Sequence, residues 1–311
     1  MQYSQKHLLG IKGLSKDDIL AVLNAADSFK VYTQRDIKKV PTLRGRTVIN
    51  MFFEPSTRTR TSFEIAGKRM SADVINIAGS SSSVVKGETL VDTVKNLEAM
   101  NCDILIIRHG EAGAAELAAR HLKNPVINAG DGYHEHPTQA LLDLMTIREH
   151  KKDLEGLKVS IVGDIAHSRV ARSNIYAMRT LGIDVSVVGP PTMIPVDIEK
   201  MGVKVFHNLE KGIKDADVIM MLRIQMERQN KTFFPTLREY SNLFGLNRQK
   251  LKKAKKDVLI LHPGPVNRGI EISPDVIDGD HSVILNQVTN GVAIRMALMY
   301  LLLGLSDETV N

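Results

Sequence analysis

Seven residues, Glu54-Pro55-Ser56-Thr57-Arg58-Thr59-Arg60, interleave hydroxyls with two arginines directly after an apolar, β-branched run from Thr47 to Phe53. Pro55 and Ser56 are helix-start residues, so the segment opens a helix whose first backbone N–H groups lack partners within it. Hydroxyls and an arginine on that positive end make a cradle for phosphate. An ordinary Ser/Thr cap with solvated arginines is the plainer reading of such a segment. Both residue types together, immediately after a buried strand, favour the cradle.

Three further segments of the first half end in polar groups. Gly79 to Glu88 is long and serine-rich, with Lys86 near its end; alone it reads as a mobile surface loop. Arg108-His109-Gly110 ends a second apolar run in an arginine. Asp131-Gly132-Tyr133-His134-Glu135-His136-Pro137-Thr138-Gln139 puts His136 just before a proline-started helix. His134 and His136 flank Glu135, which invites a metal reading, but the His-Glu-x-x-His spacing of zinc proteases is absent and spacing supplies no third ligand. A histidine donating to a polarised carbonyl oxygen needs no partner motif.

In the second half, Val162-Gly163-Asp164-Ile165-Ala166-His167-Ser168-Arg169 follows a strand-like run with one glycine where a dinucleotide fold carries three. A nicotinamide or flavin cofactor is not expected, nor is a P-loop, whose Gly-Lys-Ser/Thr ending is missing. Arg223-Ile224-Gln225-Met226-Glu227-Arg228 and His262-Pro263-Gly264-Pro265 complete the polar strand ends. Arginines on such loops in both halves describe a cleft for a substrate with more than one negative charge.

These loops need elements to hold them. Apolar, β-branched runs alternate with amphipathic segments, the pattern of βαβ units around a parallel sheet. The expected strands are Thr47 to Phe53, Asp73 to Ile77, Asp103 to Arg108, Pro125 to Asn128, Val159 to Gly163, Asp184 to Val188, Val203 to Phe206, Asp217 to Leu222 and Asp257 to Leu261. Helices are expected near Thr57 to Met70, Thr89 to Met100, Ala112 to Leu122, Thr138 to His150 and Ser168 to Leu181. The charged stretch His150 to Asp153 interrupts the alternation and reads as a domain junction. The expected fold is therefore α/β with two domains, 1–150 and 151–285, each a parallel sheet flanked by helices. The active site is expected in the cleft between them, and the apolar C-terminal segment 286–311 is expected to pack back on the first domain.

The chain has 311 residues, a formal net charge of +6 and one cysteine. That length favours two domains. Cys102 alone supplies neither a disulfide nor a cysteine-based zinc site, and fits a reducing, cytoplasmic compartment. No apolar run reaches the ~18 residues of a membrane span. Lys and Arg are spread along the chain, and aromatics to stack bases are few, so anionic small molecules are expected as partners rather than nucleic acid.

Phe52-Phe53-Glu54-Pro55-Ser56-Thr57-Arg58-Thr59 resembles the carbamoyl-phosphate signature shared by aspartate and ornithine carbamoyltransferases, and His136-Pro137-Thr138-Gln139 matches a second signature of that superfamily. The resemblance covers nearly the whole chain, with the motifs in the family's order. The Ser-Met-Gly and His-Cys-Leu-Pro loops of ornithine enzymes are absent. Arg223-x-Gln225-x-Glu227-Arg228 and His262-Pro263-Gly264-Pro265 are similar to the aspartate enzymes instead. A cationic cleft also suits the two carboxylates of aspartate better than the ammonium side chain of ornithine.

The resemblance implies transfer of a carbamoyl group from carbamoyl phosphate to L-aspartate, the second step of de novo pyrimidine biosynthesis, with no metal or cofactor. It implies that Ser56, Thr57, Arg58 and Thr59 hold the phosphate, with Arg108 reaching the same substrate. Thr59, Arg108 and His136 surround the carbonyl oxygen, while Gln139 and the Pro263 and Gly264 carbonyls hold the carbamoyl NH2. Arg169 takes the α-carboxylate of aspartate, and Arg223 and Gln225 its β-carboxylate. Glu54 is implied to hold a closed state by pairing with Arg169 and Arg228. Ser82, with Ser81 and Ser83 as rivals, and Lys86 are implied to enter the neighbouring site of a homotrimer. Relatives also assemble with dihydroorotase or regulatory chains. Gly264 stands where several relatives carry leucine, a change expected to be tolerated because a backbone carbonyl acts there. A carbamoyltransferase for another amine, or a non-catalytic scaffold of the same fold, are the alternatives; a scaffold has no need of Lys86, Arg108, His136, Arg169 and Arg223 together.

Overall fold

The computed structural model describes residues 3–79, 87–224 and 236–304. They form two compact units, one from Met1–Leu142 with Thr289–Asn311 and the other from Asp143–Val288.

The first unit opens with helix α1 (Lys16–Thr33), which lies ahead of the β–α alternation and is not anticipated by it. Its start is nonetheless written locally. Ser15 and Asp18 form a capping box, and Ile19, Val22, Leu23, Ala26 and Phe29 recur on one face and are buried. Then follow β1 (Thr47–Phe52), α2 (Thr57–Arg69), β2 (Asp73–Ala78), α3 (Leu90–Ala99), β3 (Ile104–His109), α4 (Ala114–His121), β4 (Val126–Asp131) and the start of α5 (Pro137–Lys151). The strands pair in parallel in the order β2-β1-β3-β4. Ile49, Met51, Leu105 and Ile107 of the inner strands and Val126 of the edge strand β4 pack against Val94, Leu97 and Ala118 of the covering helices, as a parallel sheet requires. Cys102 lies in this cluster, where burial pushes its thiol up to about 11, as expected for an inert core residue.

The second unit contains β5 (Lys158–Val162), α6 (Arg169–Thr180), β6 (Asp184–Val188), β7 (Lys204–Phe206), α7 (Leu209–Gly212), β8 (Val218–Met221), α8 (Leu237–Phe244), α9 (Arg248–Leu251), β9 (Leu259–Leu261), α10 (Pro274–Ile277) and the start of α11 (Ile284–Leu302). Its parallel sheet runs β7-β6-β5-β8-β9. One core cluster joins Val162, Val188, Ile219 and Ile260 of the sheet to Tyr240, Phe244 and Ile272.

Two boundaries depart from the sequence expectation for physical reasons. β4 runs to Asp131 rather than Asn128, because Asn128 Nδ2 donates to Leu9 O and to Asp131 Oδ1, both at 2.8 Å, so the polar residues are satisfied inside the strand. The division between units falls inside α5, between Leu142 and Asp143, and inside α11. The buried Asp143 accepts from Asn174 Nδ2 at 2.8 Å and Gln287 Nε2 at 2.7 Å, and Lys151 Nζ reaches Asp257 at 2.7 Å. These contacts place the C-terminal part of α5 with the second unit. The later part of α11 packs on the first: Tyr300 meets the Phe29 ring edge-on at 5.5 Å, and Arg295 lies over Phe63 and donates to Ser62 Oγ at 2.9 Å.

Candidate active site

In a doubly wound sheet, ligands bind beyond the carboxyl ends of the strands where the strand order reverses. In the first unit that point lies between β1 and β3, and Phe52 is in register with Arg108 across it. The chain leaves β1 through Phe53, whose N–H donates to Arg108 O at 2.8 Å, and enters α2 at Thr57. Ser56 occupies the cap position, yet its side chain makes no capping bond, and the first turn of α2 holds no acid. Hydroxyl and helix end are thus both available to an anion, with nothing negative in that turn to compete. Thr57 and Arg58 are exposed, Ser56 is half-buried and Thr59 is buried.

Arg108, at the end of β3, is buried and donates through Nη1 to Ala129 O at 3.2 Å; its Nε lies 3.5 Å from Glu54 Oε2. Glu54 and Arg108, assigned separate roles from sequence, are therefore brought together. Beside them His109 meets Phe53 edge-on at 5.0 Å and accepts the Glu111 N–H at 2.9 Å; burial lowers its basicity.

The loop after β4 carries His136, and the first turn of α5 carries Gln139; both are buried. His136 caps α5 with its own carbonyl, which accepts the N–H groups of Gln139 at 3.0 Å and Ala140 at 3.4 Å. Two acids build this loop: Asp131, given no role from sequence, and Glu135, weighed there only as a metal ligand. Asp131 accepts the N–H groups of Glu135 at 3.1 Å and Gly113 at 2.7 Å, with His134 Nδ1 at 3.1 Å from it. Glu135 accepts the N–H groups of Ile11 at 2.7 Å and Lys12 at 3.1 Å. Glu135 thus anchors backbone rather than standing between two metal-ligating histidines. Among the described residues no group of three or more His, Cys, Asp or Glu is placed to hold a metal ion.

The second unit repeats the logic. Its strand order reverses between β5 and β8; the loop leaving β5 leads to Arg169 at the start of α6, and the loop leaving β8 carries Arg223. The loops touch: Leu222 N–H donates to Val162 O at 2.8 Å, and at Gly163, with φ +131°, a Cβ would lie 3.1 Å from Leu222 Cβ. This is why a glycine stands there. Ser168 caps α6 by accepting the Ala171 N–H at 3.1 Å, and Asp164 accepts the His167 N–H at 3.2 Å. Arg169 is buried at the first position of α6, a helix end that disfavours a cation. After β9, Pro263 and Gly264 are half-buried, and Gly264 N–H donates to His262 Nδ1 at 2.8 Å. Gly264 has φ +68°, so glycine suits this backbone and leucine would not follow it without strain. Glycine is therefore compatible with the backbone this loop adopts, in line with the expectation that glycine in place of leucine is tolerated. Ser82, Lys86, Gln225 and Arg228 lie outside the described residues, as do Ser81 and Ser83.

Comparison with known proteins finds two consecutive domains, whose bounds differ by several residues from those of the compact units. Residues 6–149 match the aspartate/ornithine carbamoyltransferase carbamoyl-P binding domain, and residues 155–302 match the Asp/Orn binding domain of that family. The aspartate carbamoyltransferase catalytic subunit of Syntrophus aciditrophicus is 64% identical over 99% of this chain and 100% of its own, and that of Syntrophotalea carbinolica is 60% identical over 98% and 97%. Among solved structures, aspartate transcarbamoylase from Trypanosoma cruzi in complex with carbamoyl phosphate and aspartate aligns with a TM-score of 0.86 at 29% identity, covering 96% of this chain and 97% of that one. Ornithine carbamoyltransferase from Pyrococcus furiosus aligns equally well, at 0.86 and 30% identity over 98% and 99%. Two consecutive domain matches, together spanning both sheets and the loops that end them, show that this chain belongs to the aspartate/ornithine carbamoyltransferase family.

Proposed function

We propose that the protein transfers the carbamoyl group of carbamoyl phosphate to the amino group of L-aspartate, giving N-carbamoyl-L-aspartate and phosphate. The observation that carries this reading is the placement of anion-binding residues at both strand-order reversals. Ser56 to Thr59 and Arg108 sit at one, and Arg169 and Arg223 at the other. The first set suits a phosphate; the second suits a dicarboxylate and would repel the ammonium side chain of ornithine.

In this reading Ser56, Thr57, Arg58 and Thr59 hold the phosphate at the start of α2. Thr59, Arg108 and His136 donate to the carbonyl oxygen, and Gln139 with the Pro263 and Gly264 carbonyls holds the NH2. The neutral amine of aspartate attacks the carbonyl carbon, a C–N bond forms, and charge gathers on oxygen. Fixed donors around that oxygen are the main catalytic device. The C–O bond to phosphate then breaks, and the leaving phosphate takes the amine proton. Arg169 holds the α-carboxylate; Arg223 and Gln225 hold the β-carboxylate. Neither a covalent enzyme intermediate nor a metal is required.

The working unit in this reading is a homotrimer in which Ser82 and Lys86 serve the neighbouring subunit's site. The exposed face of β2, an edge strand on which Ile75 is 48% exposed, supports association with a second copy. The place of action is the cytoplasm, in pyrimidine synthesis; among the described residues no helix is long and apolar enough to cross a membrane.

The test is product formation by the purified chain from carbamoyl phosphate with either L-aspartate or L-ornithine. Carbamoyl-aspartate alone is expected. Carbamoyl-ornithine would retain the phosphate cradle and overturn the roles given to Arg169 and Arg223. A stable carbamoyl-enzyme formed without aspartate would reject direct transfer.

A further inference from the structure

Within the second unit, a buried carboxylate ties together the loops that leave β8 and β9. Glu271 is fully buried. Its Oε1 accepts the backbone N–H of Ile224 at 2.9 Å, immediately after Arg223. Its Oε2 accepts the backbone N–H of Asn267 at 2.8 Å, and Oε1 accepts from Asn267 Nδ2 at 2.6 Å. The same Nδ2 lies 3.3 Å from Ile224 O, which closes a ring between the two loops. On the other side, His262 Nδ1 accepts the Gly264 N–H at 2.8 Å. A neutral His262 ring therefore carries its proton on Nε2, which lies 3.9 Å from Glu271 Oε2.

A buried acid is a costly way to fill a core, and a well-packed apolar side chain often serves stability as well or better. Here burial pushes the carboxyl up from its usual range, while the Ile224 and Asn267 donors oppose that shift. What the carboxylate supplies that a hydrocarbon cannot is direction. Three N–H donors from two loops converge on one planar group, which fixes the loops relative to each other in distance and direction.

We propose that Glu271 is a positioning residue for the acceptor: by clamping Ile224 to Asn267 it sets the spacing between Arg223 and the Pro263–Gly264 carbonyls, and so how tightly the amino-acid substrate is held. The inference rests on the roles given above to Arg223, Pro263 and Gly264. Glu271 itself touches no reacting atom in this account.

The test is Glu271→Gln, which keeps the shape but turns one acceptor oxygen into a donor facing an N–H. Steady-state kinetics give KM for L-aspartate, and inhibition by inorganic phosphate against carbamoyl phosphate reports the cradle at residues 56–59, which Glu271 does not touch. The expected result is a rise of about tenfold in KM for aspartate, equivalent to ~1.4 kcal/mol, with the phosphate inhibition constant within about twofold of the parent. Asn267→Ala, which removes only the side-chain strand of the clamp, is expected to give a smaller rise with the same split, and carries the test if Glu271→Gln fails to fold. An unchanged KM for aspartate in a folded variant overturns the proposal. So do parallel losses of aspartate and phosphate affinity, which would mark a merely structural role. A parent chain that makes no carbamoyl-aspartate at all would instead defeat the underlying functional reading, and the control without substitution identifies that case.

Discussion

Replacing Glu135 tests whether the loop that presents His136 is held from the far end of the first unit's sequence. Its two carboxylate oxygens accept the N–H groups of Ile11 and Lys12; the Ile11 bond is buried, so water cannot replace it in place, and the Lys12 bond is partly buried. Glu135→Gln keeps one acceptor and turns an NH2 toward the other N–H. Leaving one buried donor unsatisfied costs about 1–3 kcal/mol; Glu135→Ala strands both and costs about 2–6 kcal/mol. For a unit of this size each kcal/mol lowers Tm by roughly 2–4 °C, so the glutamine variant should melt about 2–12 °C below the parent and the alanine variant lower still. Because His136 directly follows, turnover should fall in the same order, Gln before Ala. Scanning calorimetry and initial rates on the three proteins supply both series. If Glu135→Gln melts within about 1 °C of the parent, or if alanine is no worse than glutamine, the anchoring argument is wrong.

Other consequences can be checked directly. Arg58 is exposed at the first turn of α2, so Arg58→Ala should leave the fold intact while removing a charge-assisted contact of ~1.5–3 kcal/mol, a loss of about 10- to 150-fold in turnover; near-normal rates would reject the phosphate cradle. Asp18 is held down at about 2: burial alone would raise it, but four hydrogen bonds from Ser4 and Ser15 outweigh that. A folded-state value below the unfolded one gives stability that is complete above about pH 5 and is lost as pH falls toward 2, by about 2 kcal/mol. Asp18→Asn should therefore lose that amount at neutral pH and flatten the acid side of the urea-unfolding profile; an unchanged acid side would count against it. Gly264→Leu should cost about 1–2 kcal/mol in urea unfolding because its φ of +68° strains any side chain, and no loss would mean that the loop relaxes freely.

Much of the architecture was written locally. The β-branched runs that became β1, β3, β5 and β6 are found within a residue or so of their expected places, because apolar periodicity and strand-length runs are properties of a few neighbouring residues. The phosphate segment at Ser56 to Thr59 was legible for the same reason: helix-start chemistry and a preceding buried strand lie within a dozen residues of one another. α1 carried its own signal, the Ser15–Asp18 capping box, although no alternation pointed to it.

What sequence alone determined about this protein is therefore the kind of chemistry each loop offers: hydroxyls and arginines for anions at one end, arginines and turn carbonyls at the other. Only the tertiary structure decided which loops become neighbours. The orders β2-β1-β3-β4 and β7-β6-β5-β8-β9 put Arg108 beside the β1 loop and Arg223 beside the β5 loop, pairings made by hydrogen bonds between strands far apart in the chain. The buried acids show the same limit. Glu135 bonds residues more than a hundred positions away, and Glu271 bonds Ile224 across 47. No local pattern marks such partners, because a carboxylate's place in a core is set by whichever donors folding brings to it.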